Sequence, residues 1–447
     1  MTDILNLSEY QVLRIEETEH DYHIDIQHLN SAQSCPHCRS NNLIGYGKRE
    51  QVILDLPIHA KRTVLYINAK RYKCHDCSKT FYEDLPHIHS KRNMTIRLEN
   101  WIGKQAVKRT FTSISEDVGC TKVTVKSVFN DYINALEAKV RFETPLWMGI
   151  DEIHLIKPRG VITNIQNNTV VEVLPNRNKE TMIHYLGNLH NKENIKYVAM
   201  DMWRPYRDAV EATLPQATIV IDKFHVVRMA NDALYTVRKS LRSELEPKQR
   251  RYLKNDRFIL LKRRKELTDQ EEFIMSGWLE NFPQLALAYI AKEAFYEIYD
   301  ADNLIDANRR YQAWREMIKP EIAGAYADLI RAFENWQPYI LNYFQHRVTN
   351  AYTESLNNLI RVMNRLGRGY SFEALRAKIL FSEGVYKHKY KKPKLKRRSR
   401  KEPIMFKMYS VNDIFDDWPL SNEEKDIIGN YGAEITTLIE IFESELK

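Results

Sequence analysis

Residues 194–227 read NIKYVAMDMWRPYRDAVEATLPQATIVIDKFHVV, and how this stretch folds decides the architecture. Two short apolar runs, residues 197–200 and 217–221, each end in an aspartate, Asp201 and Asp222. Residues 204–214 between them repeat apolar positions at helical spacing. Continuous apolar runs of this length on either side of a helix predict parallel strands buried on both faces. In open sheets of that kind, chemistry collects beyond the carboxyl ends of the strands. A third acid, Asp151, closes the apolar run 146–150, fifty positions before Asp201. Carboxylates gathered at strand ends point to divalent metal and phosphoryl transfer.

Outward from that stretch the pattern stays consistent. Residues 161–166 and 169–174, split by Asn167-Asn168, predict an antiparallel meander with 146–150. Residues 179–189 predict an amphipathic helix leading into the quoted stretch. The resulting order, β-β-β-α-β-α-β, is the ribonuclease-H-like arrangement, an analogy at the level of fold. Residues 226–345 are almost wholly helical in pattern, with stretches 230–246, 269–281, 285–301, 307–318 and 322–336, and predict an all-α insertion. Residues 348–365, VTNAYTESLNNLIRVMNR, then predict a helix. Its apolar face is read as Tyr352, Leu356, Leu359, Ile360 and Met363, and its polar face as Glu354, Asn358, Arg361 and Arg365. The sequence LGRGY at 366–370 breaks the helix, and 372–386 resumes it.

Asp151, Asp201 and Glu354 form the candidate catalytic and metal-binding set. Their oxygen ligands suit magnesium or manganese. Asp201 is preferred because its strand neighbours that of Asp151, with Asp222 as the alternative second acid. Asp222 and His225 then support the site or touch DNA, although a satisfied buried histidine is an equal reading of His225. Glu152 alternates to the other face of its strand. The sequence holds no GxxxxGK[ST] loop, which argues against nucleoside-triphosphate hydrolysis.

Upstream, residues 10–15 and 22–26 predict a small two-stranded start. Cys35-Pro-His-Cys38 and Cys74-His-Asp-Cys77 follow, 35 residues apart, with strand-like runs 42–46, 51–56 and 62–73 between them. That gap exceeds the usual ribbon spacing of about 15–20. Two knuckles at opposite ends of a hairpin layer still predict one structural zinc on Cys35, Cys38, Cys74 and Cys77. The competing reading is two unrelated cysteine pairs. His37 and His75 are expected to face solvent or phosphate, and Lys48, Arg49, Lys61, Arg62, Lys70, Arg71 and Lys73 make the module basic. Residues 96–108, 113–118 and 121–138 predict helices, with Gly119 at a tight turn and Thr121 as a cap. That rhythm suits a helix-turn-helix whose Lys122, Thr124, Lys126 and Ser127 reach DNA, against the alternative of an ordinary helical hairpin. Cys120 reads as a small core residue.

The bulk composition fits this plan. The 447 residues are 43% hydrophobic and 28% charged, enough for several soluble domains. No run of about eighteen apolar residues occurs, so no membrane span is expected. The acidic start lacks a secretory pattern, so the cytoplasm is the expected place. Residues 387–401, KHKYKKPKLKRRSRK, hold ten Lys/Arg and no acid; without them the formal charge falls from +8 to −2. Such a block is a solvated tether or a phosphate-binding arm, with Lys396, Arg397 and Arg398 at its centre. Residues 413–446 are acidic and helical in pattern, with no recognisable site.

Taken in order, CPHC…CHDC, the helical hairpin, GIDEIH, VAMDMWRPY, IVIDKFHVVRMAN and NAYTESLNNLIRVMNRLGRGYSFEALRAKILF resemble the bacterial insertion-sequence transposases of the ISL-three family. The likeness covers most of residues 30–385. It implies a multidomain α+β chain: a zinc ribbon (1–90), a helix-turn-helix (91–142), and a ribonuclease-H-like α/β catalytic domain (143–228 and 346–386). An all-α insertion (229–345), a basic arm (387–403) and a helical tail (404–447) complete it. It also implies a DDE transposase that cleaves element ends and joins them to target DNA, using structural Zn2+ and catalytic Mg2+ or Mn2+. Asp151 matches the GIDE acid, Glu354 the NAYTESLNN acid and Asp201 the VAMDM position, while Asp222 lies in the DKFHVV box. The implied partners are double-stranded DNA, both ends and target, and a second copy or more of the chain on the nucleoid. Two other readings remain at this point: a DNA-binding regulator without catalysis, and a structure-selective nuclease without strand transfer.

Overall fold

The structure, a computed structural model, describes residues 5–139, 144–251, 253 and 256–384. Of these, residues within Met1–Phe142 and Ile360–Glu383 form one compact unit, and those within Glu143–Leu359 and Gly384–Lys447 form the other. The basic arm with Lys396, Arg397 and Arg398, and the C-terminal tail, lie outside the described residues.

The first unit begins with strands β1 (Tyr10–Glu17), β2 (Asp21–His28), β3 (Leu43–Ile58), β4 (Lys61–Cys74) and β5 (Thr80–Tyr82). They form one sheet in the order β1-β2-β4-β3, with β5 on β4. Alternate residues Tyr22, Ile24 and Ile26 on β2, and Leu65, Ile67 and Ala69 on β4, are buried, as the two-residue period of a half-buried sheet requires. The two short strands expected at 42–46 and 51–56 are one long strand. Gly47, at φ +101, lies within the register shift between Gly45 and Lys48 and lets the strand pass through a bulge instead of ending. Helices α1 (Ile96–Lys108), α2 (Phe111–Val118) and α3 (Lys122–Glu137) follow. Gly119 closes α2 at φ +76, and the Thr121 hydroxyl accepts from the Thr124 amide to start α3.

In the second unit, β6 (Trp147–His154), β7 (Pro158–Asn164) and β8 (Thr169–Val173) form the expected meander. After α4 (Lys179–Gly187), strands β9 (Tyr197–Met200) and β10 (Thr218–Ile221) flank α5 (Arg204–Thr213). The sheet order is β10-β9-β6-β7-β8, with β10, β9 and β6 parallel. One expectation is corrected here: β6 does not close at Asp151. Its parallel pairing with β9 ends at Ile150↔Met200, but the antiparallel ladder with β7 carries it on to His154↔Pro158.

The helical pattern read from residue 226 starts slightly earlier in the structure. Helix α6 (Lys223–Glu244) begins immediately after Asp222, because Phe224, Val226, Val227, Ala230 and Leu234 already bury one helical face. Then come α7 (Pro247–Arg250), α8 (Asp256–Leu261), α9 (Asp269–Asn281), α10 (Pro283–Tyr299), α11 (Leu304–Met317) and α12 (Pro320–Leu341). A capping box between Thr268 and Glu271 starts α9. These helices share one apolar cluster with the sheet, running from Met148, Val198 and Val220 to Phe295, Trp314 and Phe333.

Helix α13 (Ala351–Gly367) is divided between the units at Ile360, and α14 (Phe372–Glu383) belongs to the first. The segment 346–386, expected to hold the final helices of the catalytic domain, thus contributes residues 360–383 to the packing of the first unit. Lys378 shows why: its buried ammonium donates to the carbonyls of Ala106 and of Arg109 (2.8 Å), at the end of α1. It also lies over the rings of Phe111, Phe129 and Tyr370, at 4.7, 5.3 and 4.9 Å. Burial without a carboxylate partner pushes its pKa down to about 7.

Candidate active site and nucleic-acid interface

Strand register builds the centre. Ile150 pairs with Met200 and Met200 with Ile221, so Asp151, Asp201 and Asp222 follow in line on three adjacent strands. Asp151 and Asp222 are buried, and the Asp201 side chain is about a quarter exposed, at 24%. Asp151 accepts through Oδ1 from the Glu152 amide (2.7 Å) and through Oδ2 from Asn357 Nδ2 (2.7 Å). Asp201 Oδ1 lies 2.7 Å from His225 Nε2. One ligand atom each from Asp151, Asp201 and His225 lie within 4.8 Å of one another.

The electrostatics follow from this crowding. Burial pushes the Asp151 carboxyl well above its usual range, and the charges of Asp201 and Glu354 add to that push. Burial opposes the charged form of His225, yet Asp201, Asp222 and Asp151 together raise it to about 10. Asp222 is also raised, by burial first, with the amides of Asn350 and Phe224 acting against it. Neither of its oxygens makes a hydrogen bond of normal geometry. Asp151 and Asp222, two buried carboxyls pushed toward neutrality, lie near the more open Asp201, and oxygen donors crowded in this way are a set that a hard divalent cation fits.

Glu354 stands in the first turn of α13, where its charge reaches Asp151. A polar seam fixes that helix on the sheet. Asn350 Nδ2 donates to the Ile150 carbonyl (3.1 Å), and the hydroxyls of Thr353 and Thr163 meet at 2.7 Å. Asn357 also donates to the Glu152 carbonyl at 3.3 Å. Gly149 leaves room for this: a Cβ there would run into Asn350, Thr163 and Thr353. Sequence reasoning missed the seam. It assigned the buried face to Tyr352, Leu356, Leu359, Ile360 and Met363, whereas Thr353, Leu356, Asn357 and Ile360 are buried and Leu359 is 38% exposed. The signal was present, since positions 350, 353 and 357 share one helical face. Glu152 instead engages Arg177 (2.5 Å) and His154 (3.2 Å).

The four cysteines also come together. Sγ atoms lie 3.6 Å apart for Cys35 and Cys77 and 3.5 Å for Cys38 and Cys74, with all four within 4.8 Å. A tetrahedral zinc with bonds of about 2.3 Å needs sulfurs about 3.8 Å apart, so the set fits, and the reading as unrelated pairs is set aside. Asp76 ties the knuckles together by accepting from Ser40 (2.5 Å) and Asn42 (3.1 Å). His37 and His75 are exposed.

Of the expected DNA contacts on α3, Lys122, Lys126 and Ser127 are exposed and Thr124 is half-buried. The Thr124 hydroxyl meets that of Thr121 (2.9 Å), and Ser127 accepts from Arg92 (2.9 Å), so both are engaged within the fold. On α13, Arg365 is exposed and Arg361 half-buried. Cys120 is half-buried, and burial pushes its thiol up. Among the described residues no helix is long and apolar enough to cross a membrane.

Comparison with known proteins agrees with this geometry. A family model described as a transposase of the DDE type matches residues 148–379. One for the zinc finger of the IS204, IS1001, IS1096 and IS1165 transposases matches 31–77, and one for the helix-turn-helix of transposase family ISL3 matches 83–133. The chain is 24% identical over 326 residues to the transposase for insertion sequence element IS1001 of Bordetella parapertussis, covering 71% of this chain and 80% of that protein. It is 23% identical over 260 residues to the IS1557 transposase of Mycobacterium tuberculosis, covering 52% and 58%.

Proposed function

The chain belongs to the ISL3 transposase family, and on that premise we propose that it binds the two ends of its insertion sequence, cleaves them and joins them to target DNA. Asp151, Asp201 and Glu354 hold the Mg2+ or Mn2+ in this reading. The observation that carries it is the alignment of Asp151 and Asp201 on hydrogen-bonded parallel strands, with the charge of Glu354 reaching the same point. Asp201 is the second acid rather than Asp222, because its strand is the direct neighbour of β6 and its carboxylate is the more open. Asp222 heads α6 and His225 holds Asp201, which makes both supports of the cluster.

When bound, the divalent ions activate the attacking oxygen and neutralise charge on the leaving one. The chain's own work is placement. The Glu152 amide and Asn357 each donate to one oxygen of Asp151, which holds its carboxylate in one orientation beside Asp201. Water breaks one phosphodiester bond at each end and leaves a 3′-hydroxyl. That hydroxyl then attacks a target phosphate in line and displaces a target 3′-oxygen, with no bond to protein. Lys122, Thr124, Lys126, Ser127, Arg361, Arg365 and the arm with Lys396, Arg397 and Arg398 neutralise the backbone. The zinc ribbon (1–90), the helix-turn-helix (91–142) and the catalytic parts keep separate roles, on DNA in the cytoplasm. Joining two ends requires two copies of the chain or more.

The test incubates full-length protein with a duplex carrying its element end, target DNA and Mg2+ or Mn2+. Metal-dependent nicks followed by joined products are expected, and Asp151→Asn and Glu354→Gln abolish both while sparing end binding. Nicks without joined products would reduce the chain to a nuclease, and binding without nicks to a regulator.

A further inference from the structure

A cavity of about 740 Å³ opens in the first unit between the first turns of α2 and α3 and the turn that follows α13. Its lining includes Lys122 and Lys126 on one side, Arg365 and Arg368 on the other, and a single acid, Glu116. None of the four cations forms an ion pair among the described residues. Lys122 and Lys126 are four apart on one helical face, so they present their charges together.

We propose that this cavity seats the phosphodiester backbone of DNA, with Arg365 and Arg368 gripping phosphates beside those held by Lys122 and Lys126. The proposal rests on the reading that the chain binds DNA, and adds a wall from outside the helix-turn-helix match, which ends at residue 133. A lone phosphate needs one such pair of cations; two pairs across a space of this volume suit a run of backbone.

The turn is built to hold its shape. Tyr370 folds over Gly367, where any Cβ would run into its ring, and packs edge-on against Phe111 at 5.2 Å, with Lys378 beneath. Arg368, between Gly367 and Gly369, adopts φ +46, a left-handed conformation that glycine would take without strain.

The test measures DNA affinity of the full-length protein by fluorescence anisotropy from 50 to 200 mM salt, on an end duplex and an unrelated duplex. The double variant Arg365→Gln/Arg368→Gln should lower the slope of log affinity against log salt by about 1.8 on both duplexes. Its salt-driven loss of affinity over that range is then about tenfold smaller than that of the parent. Arg331→Gln, an exposed arginine on α12, should leave the slope unchanged. Arg368→Gly covers the case in which the double variant misfolds. It relaxes the backbone while removing the charge, and should lower the slope by about 0.9 without lowering the melting temperature. A parental slope in either variant, with zinc content and fold intact, overturns the proposal. Parent protein that binds both duplexes equally instead defeats end recognition and leaves the slope comparison standing.

Discussion

The four-cysteine knuckle and the carboxylate cluster are both assembled from distant parts of the chain, yet they are built in opposite ways. Each half of the knuckle is a local motif, Cys-x-x-Cys, and the fold only has to bring two such halves to the ends of β3 and β4. All four ligands are spent on one ion, so the site is closed and structural. The carboxylate cluster contains no local motif. Asp151 and Asp201 meet because two parallel strands share a register, and a polar seam fixes the helix of Glu354, about two hundred residues further on, against the same sheet, although Glu354 is not among the ligand atoms that gather with Asp151, Asp201 and His225. Its donors are few and partly open, which leaves coordination positions for water and phosphate. The first arrangement needs its ion to close a small module, whereas the second is built on a sheet and helices with a large apolar core of their own.

That contrast can be broken most decisively at the knuckle. Cys35→Ser should abolish stoichiometric zinc and unfold the ribbon, a loss on the order of 10 kcal/mol for the module, while the second unit keeps its hydrogen-exchange protection. A variant that retains one zinc per chain would sink the four-thiolate site. At the carboxylates, removing a ligand should spare folding and strike chemistry. Asp201→Asn is expected to lower end cleavage by about 10²–10³-fold with end binding unchanged. Asp222→Asn should do far less, because the Asp222 carboxylate is fully buried whereas that of Asp201 is partly open. The opposite ranking would exchange their roles.

The seam sharpens the comparison further. Asn357→Ala removes the hydrogen bond to Asp151 Oδ2, worth about 1.4 kcal/mol, and should slow cleavage roughly tenfold. It should also weaken Mn2+ binding in the absence of DNA, measured by calorimetry. Unchanged Mn2+ affinity would make Asn357 a packing residue only. The smallest effect belongs to a purely local device: Thr121→Ala should destabilise the helix-turn-helix by about 1 kcal/mol in a thermal melt. Cleavage of DNA already bound should not change, and a slower rate there would show that the two regions are less independent than their construction suggests.

Much of this was legible in the chain. The strands ending at Asp201 and Asp222, the helix between them, the bounds of α1 and α9, the Thr121 cap and the thiolate set all follow from short-range rules of periodicity, capping and ligand spacing. Reading failed where a residue's role depends on what lies across from it. Gly47 keeps β3 continuous because β4 pairs on both sides of the bulge, and α6 starts at Lys223 because the sheet's core extends beneath it. Asn357 looks like a solvated helix residue until β6 brings Asp151 to it.

By itself, then, the sequence determined which segments are helix and strand, which four sulfurs bind zinc, and which acids could act, because those properties depend on neighbours within a few residues. Only the tertiary structure decided that Asp151 and Asp201 share a register, that a buried seam fixes the helix of Glu354, and that residues 360–383 pack with the first unit. Register and packing arise between segments far apart in the chain, and local periodicity carries no record of which partner a face will meet.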